Sequence, residues 1–146
     1  MSVVSAGEAP GAAIVTDPTR YRVLVVDDNV DSAQSMSLLL QLEGHEVSCA
    51  HDGLEALQVA ESFAPQVVLL DLGLPRMNGY DVARRLRQAQ QQAADSRRLL
   101  LVAISGYGRE QDRAAAQEAG FDFHLTKPAD PDMVMRLMQE HGPQAG

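Results

Sequence analysis

Two runs of branched apolar residues, VLVV at 23–26 and VVLL at 67–70, each stop abruptly in aspartate, and nothing else constrains the chain as strongly. A run of this length without polar alternation must be covered on both faces, which is the signature of a strand inside a parallel sheet flanked by helices. A third such run, LLLVAIS at 99–105, and the shorter segments HEVSCA at 45–50 and FHLT at 123–126 bring the candidate strands to five. Helical periodicity fills the intervals. Asn29 or Asp31 caps a helix with Met36, Leu39, Leu40 and Leu42 on one side, and Gly44 stands where a C-terminal cap belongs. Residues 53–63 carry Leu54, Leu57 and Val59 before the stop at Pro65, and residues 80–92 carry Val82 and Leu86 beside a dense arginine face. An alanine-rich stretch from about Arg109 to Ala119 ends at Gly120, and a last helix runs from about Asp130 to Glu140. Strict alternation of this kind predicts an α/β, doubly wound architecture in which helices cover both faces of a five-stranded parallel sheet.

The 146 residues leave room for one domain and short tails. Residues 1–19, rich in Ala, Gly, Ser and Pro, read as a flexible N-terminal tail, residues 20–140 as the domain, and residues 141–146 as a short C-terminal tail. A formal net charge of −8 has the wrong sign for binding nucleic acid through bulk charge. The single cysteine, Cys49, excludes an intrachain disulfide and fits a reducing compartment, so a cytoplasmic location is expected. No apolar run approaches the roughly 20 residues of a membrane span, and no insertion is expected.

In open sheets of this class, ligands bind beyond the carboxyl ends of the strands, where the strand order reverses. Those ends carry Asp27 and Asp28 after the first strand, Asp71 after the third, Ser105 after the fourth and Lys127 after the fifth; the second is expected to supply no such group. Converging carboxylates repel one another, and a hard divalent cation such as Mg²⁺, which takes oxygen ligands and tolerates a phosphate in its shell, is the natural remedy. Lys127 is the only lysine among twelve basic residues, and its compact ammonium suits a phosphate or carboxylate oxygen. With three aspartates, this lysine and one Mg²⁺ the site is neutral, and an acyl phosphate on Asp71 brings further negative charge. Phosphoryl chemistry here is expected to require the metal.

In this order, the segments VLVVDDN, VVLLDLGLPRMNGY, AISGYG and HLTKP resemble the receiver domain of two-component response regulators, over roughly Tyr21 to Glu140. The last two segments look most like receivers associated with hybrid sensor histidine kinases. The resemblance implies a flavodoxin-like (βα)5 three-layer sandwich with strand order 2-1-3-4-5. It implies that Asp71 accepts a phosphoryl group from a phosphohistidine of a sensor histidine kinase or histidine phosphotransfer protein. On the same footing, Asp28, Asp71 and the backbone carbonyl of Gly73 would hold Mg²⁺, with Asp27 acting mostly through a water. Ser105 would donate to one phosphoryl oxygen and Lys127 would pair with another. The peptide bond before Pro128 is typically cis in the family. Signalling would proceed by a phosphorylation-dependent conformational change and contact with a downstream protein target, without an output domain and without enzymatic turnover beyond assistance to its own phosphorylation and dephosphorylation.

The chain departs from the family pattern at His124, where many receivers place an aromatic residue that turns inward; either imidazole takes a similar part or it is an edge-strand bystander. Gly73 leaves space beside the phosphoryl group, whereas Tyr107 is placed to shade an attacking water, so these two positions are expected to set phosphate lifetime. A Mg²⁺-dependent aspartyl-phosphate phosphohydrolase is the alternative of a different class, but such enzymes want a second acid two residues after the nucleophile, and Gly73 stands there. A phosphorylation-independent binding module is a third reading. Cys49 and His45 read as residues without chemistry, and Arg84, Arg85, Arg87, Arg97 and Arg98 as a solvated face. The oligomeric state is left open by the sequence.

Overall fold

A computed structural model describes residues 20–74, 77–92, 99–106 and 110–142. Among them are five strands, β1 Arg22–Val26, β2 Glu46–Ala50, β3 Val67–Asp71, β4 Leu100–Ser105 and β5 Phe123–Thr126. They alternate with five helices, α1 Val30–Leu42, α2 Gly53–Phe63, α3 Gly79–Gln92, α4 Glu110–Ala119 and α5 Pro131–His141. All strand pairs are parallel, in the order β2-β1-β3-β4-β5, as the alternation and the resemblance predict.

The unbroken apolar runs hide a period of two that packing makes visible. Leu24, Val26, Val68, Leu70, Leu101 and Ala103 point to one face and pack with Ala56 of α2, with Val82 and Leu86 of α3, and with Ala116 and Ala119 of α4. Val23, Val25, Val67, Leu69, Leu100 and Val102 point to the other face, against Ala33 and Leu40 of α1 and Val134 and Met138 of α5. The core is therefore two apolar layers, with β1 and β3 at its centre.

Local chemistry fixes the helix ends. The side chains of Asn29, Asp52 and Asp130 accept hydrogen bonds from the amides of Ser32, Glu55 and Asp132 and so cap α1, α2 and α5. α2 ends where Ala64 turns left-handed before Pro65. The Lys127–Pro128 bond is cis.

Helical periodicity misjudges the buried stripe of α1. Ala33, Ser37 and Leu40 are buried and Met36 is half-buried, whereas Leu39 lies at the exposed margin and Leu42 is 73% exposed. The smaller Ala33 and Ser37 face the sheet because the helix lies close against β1 and β2. The same holds in α2, where Ala56 is buried and Leu54 is exposed.

Arg87 also departs from expectation. Rather than joining a solvated face, its guanidinium donates from Nε to the Gly120 carbonyl at 2.8 Å, from Nη2 to Asp122 Oδ2 at 2.7 Å, and from Nη1 to the Leu99 carbonyl. Asp122 Oδ2 also accepts the Leu101 amide at 2.9 Å. Gly120 has φ +108°, and a Cβ there would lie 2.9 Å from Arg87 Cγ, so both backbone and space require glycine. Pro75, Arg97, Arg98 and Tyr107 lie outside the described residues.

Candidate functional site

The chain leaves β1 toward β2 and leaves β3 toward β4, so a crevice opens between the carboxyl ends of these two central strands. Asp27 and Asp28 directly follow β1 and Asp71 ends β3, and one carboxylate oxygen from each lies within 4.8 Å of the others. Asp71 is the buried member at 3% exposure, Asp27 is half-buried and Asp28 is exposed. Among the described residues this is the one acidic trio close enough to share a cation.

Asp27, Asp71 and Lys127 are each tied to the backbone. Asp27 Oδ1 accepts the Asn29 amide at 2.9 Å, so the residue that caps α1 also orients the first acid. Asp71 Oδ1 accepts the Gly73 amide at 2.9 Å, and Oδ2 accepts the Lys127 ammonium at 2.8 Å. The close turn after β3 depends on Gly79, where a Cβ would lie 3.0 Å from Leu72 Cα. Lys127 is brought in because its amide donates to the Ser105 carbonyl at 2.7 Å, which fastens the ends of β4 and β5 together. Ser105 Oγ lies 2.9 Å from Nε2 of His124. The predicted Asp27, Asp28, Asp71, Gly73, Ser105 and Lys127 thus gather at one edge of the sheet, with His124 joined to them through Ser105.

His51 belongs to this edge as well. It directly follows β2, and its Nδ1 lies 3.0 Å from the Asp27 backbone carbonyl. A carbonyl only accepts, so Nδ1 carries a proton and the ring clamps the peptide that presents the acids. Its position, first after a strand like Asp27, was the signal in the sequence.

The electrostatics follow from these contacts. Burial pushes the Asp27 carboxyl above its usual range and the negative charge of Asp71 adds to this, while the Asn29 amide acts in the opposite sense. Burial alone would lower the Lys127 ammonium, but the hydrogen bond and charge of Asp71, with the charges of Asp27 and Asp28, outweigh it and hold the pKa above its ordinary value. Three carboxylates against one ammonium leave an excess of negative charge, and the donors are all hard oxygens, so the trio fits a divalent cation.

A stability prediction follows from the sign of the Asp27 shift. A carboxyl whose folded pKa is raised loses stability as pH climbs from the unfolded value through the folded one. Asp27→Asn is expected to raise stability at pH 7 in chelator by roughly 0.5–1 kcal/mol, the scale of solvent-screened charge interactions. It should also shrink the gain in Tm on adding Mg²⁺. Thermal melts with and without the metal check both.

A groove of about 630 Å³ runs from these acids between α1 and the connection into α5, lined by Asp27, Asp71, Lys127, Met36, Leu39 and Pro131 among others. No helix among the described residues is long and apolar enough to cross a membrane.

Comparison with known proteins agrees with this geometry. Residues 23–139 match the family model described as the response regulator receiver domain. An uncharacterized 14.6 kDa protein of Leptolyngbya boryana is 35% identical over 119 residues, 82% of this chain and 88% of that protein. The DNA-binding response regulator MtrA of Mycobacterium bovis is 37% identical over 122 residues, 83% of this chain; the match spans only half of MtrA. Among solved structures, a response regulator protein from Burkholderia pseudomallei with a phosphorylated aspartic acid, calcium ion and citrate superposes with a TM-score of 0.70 at 26% identity, over 78% of this chain and 64% of that one.

Proposed function

The chain belongs to the response regulator receiver domain family of two-component signalling, and from that premise we propose that Asp71 is its phosphoacceptor. In the transfer, an Asp71 carboxylate oxygen attacks the phosphorus of a phosphohistidine on a sensor kinase or phosphotransfer protein. The new O–P bond forms as the N–P bond breaks, and the imidazole leaves with its electron pair and takes up a proton. The observation that carries this reading is the setting of Asp71, which is buried, held at Oδ1 by Gly73 and at Oδ2 by Lys127, and central to the acidic trio.

Lys127 and Ser105 would stabilise charge on the phosphoryl oxygens, which is how the chain assists its own phosphorylation and dephosphorylation. Asp28, Asp71 and the Gly73 carbonyl would hold Mg²⁺, with Asp27 acting through a water. Bound there, the ion supplies neutralisation of the transferring phosphoryl group. The Burkholderia relative, with its phosphorylated aspartic acid and calcium ion, supports both assignments. A histidine-phosphorylated kinase or phosphotransfer protein is the donor partner and a downstream protein the receiver of the signal. The single cysteine supports placing this exchange in the reducing cytoplasm.

Incubation with acetyl phosphate and Mg²⁺ should add one phosphoryl group by intact mass, and chelator should prevent it. Equal uptake with and without metal would overturn the metal assignment, and no uptake at all would overturn the phosphoacceptor reading.

A further inference from the structure

The contact between Ser105 and His124 does more than fill space on the sheet. β4 and β5 pair with Ala103 beside His124 and Ser105 beside Thr126, so the serine and the histidine project from the same face of adjacent strands. Ser105 is buried, His124 is half-buried, and Oγ lies 2.9 Å from Nε2. A hydroxyl has one proton to give and lone pairs to accept with, whereas a neutral imidazole carries its proton on either ring nitrogen. Phosphoryl oxygens only accept. If Ser105 gives its proton to a phosphoryl group on Asp71 and keeps its imidazole contact, Nε2 must be the donor in that contact.

We propose that Ser105 and His124 form a single donor relay, in which His124 Nε2–H donates to Ser105 Oγ and the Ser105 hydroxyl donates to a phosphoryl oxygen. The proposal rests on Asp71 being the phosphoacceptor. His124 is then a positioning residue that acts through Ser105. Neutral imidazole meets this requirement in its Nε2–H tautomer, with no change in charge. Each bond in such a chain polarises the next, so the serine becomes a better donor than it is alone. A phenyl ring in the same place offers nothing to the hydroxyl.

The test uses ¹⁵N-histidine-labelled protein, with uptake of one phosphoryl group from acetyl phosphate and Mg²⁺ confirmed by mass on the same sample. In the phosphorylated protein the Nε2 resonance of His124, assigned by its loss in His124→Gln, is expected to be that of a protonated nitrogen. A bare Nε2 in the phosphorylated protein overturns the relay and leaves the phosphoacceptor intact; absence of phosphoryl uptake overturns both. Two variants add an independent measurement. His124→Phe is expected to lower the steady-state phosphorylated fraction, relative to unphosphorylated protein, by about fivefold, the worth of one neutral hydrogen bond. His124→Gln, whose amide donates from a similar place, is expected to restore most of that loss. A phenylalanine variant equal to the parent, or a glutamine variant as poor as phenylalanine, overturns the proposal.

Discussion

Asp71→Asn is expected to take up no phosphoryl group from acetyl phosphate in the presence of Mg²⁺, its rate falling by more than about a thousandfold, as removal of a covalent nucleophile does. The amide is nearly isosteric with the carboxylate. Its one oxygen keeps a single one of the two contacts that Asp71 now accepts, and kept toward the Gly73 amide it preserves the turn after β3 while Lys127 loses its partner oxygen. What is lost is the anionic oxygen that attacks phosphorus. The substitution also removes one negative charge from a site that has too many, so the variant should be at least as stable as the parent in chelator. Intact mass and thermal melts on the same preparations separate a lost nucleophile from a lost fold. A variant that still gains one phosphoryl group at the parental rate would transfer the acceptor role to Asp27 or Asp28.

The largest stability effect is expected far from this chemistry. Arg87→Ala should destabilise the domain by about 3 kcal/mol, because it removes the guanidinium from the half-buried Asp122 carboxylate and strips charge-assisted donors from two backbone carbonyls. For a domain of this size that corresponds to a fall in Tm of roughly 10 °C. The pair is well shielded, with side-chain exposures of 19% and 12%, so salt should weaken it little. Arg87→Lys should not rescue it, since one ammonium cannot reach Gly120, Leu99 and Asp122 from a single planar fork. Denaturant melts of both variants, with Asp122→Asn to close a double-mutant cycle, measure the coupling. Loss of under 1 kcal/mol in Arg87→Ala would show the arginine to be a surface residue after all.

The sheet and the groups at its edge were readable from the residues because strand ends are marked twice, by the stop of an apolar run and by a charge that no core tolerates. Asp27, Asp71 and Lys127 each carry both marks. The faces of the helices were less readable. In α1 the eye goes to the leucines, but a helix lying close to a sheet favours small groups, and Ala33 and Ser37 take the inner positions while Leu42 turns outward. Arg87 was hidden by its charge, although it lies one helical turn beyond the buried Ala83 and belongs to the same stripe. Its partner Asp122 is distant in sequence, and nothing local pairs the two. His51 and His124 declare a place but no partner, because a histidine's role depends on what the fold sets opposite each ring nitrogen.

The arginine fastens β4 and β5 at their amino ends, the ends opposite Ser105 and Lys127. Two strands anchored at the foot and loaded at the tip behave as a pair of levers with a common fulcrum. A displacement imposed at Ser105 and Lys127 would then be smallest beside Asp122. A protein that clasps the foot of the sheet would accordingly meet the same surface whether or not Asp71 carries a phosphoryl group.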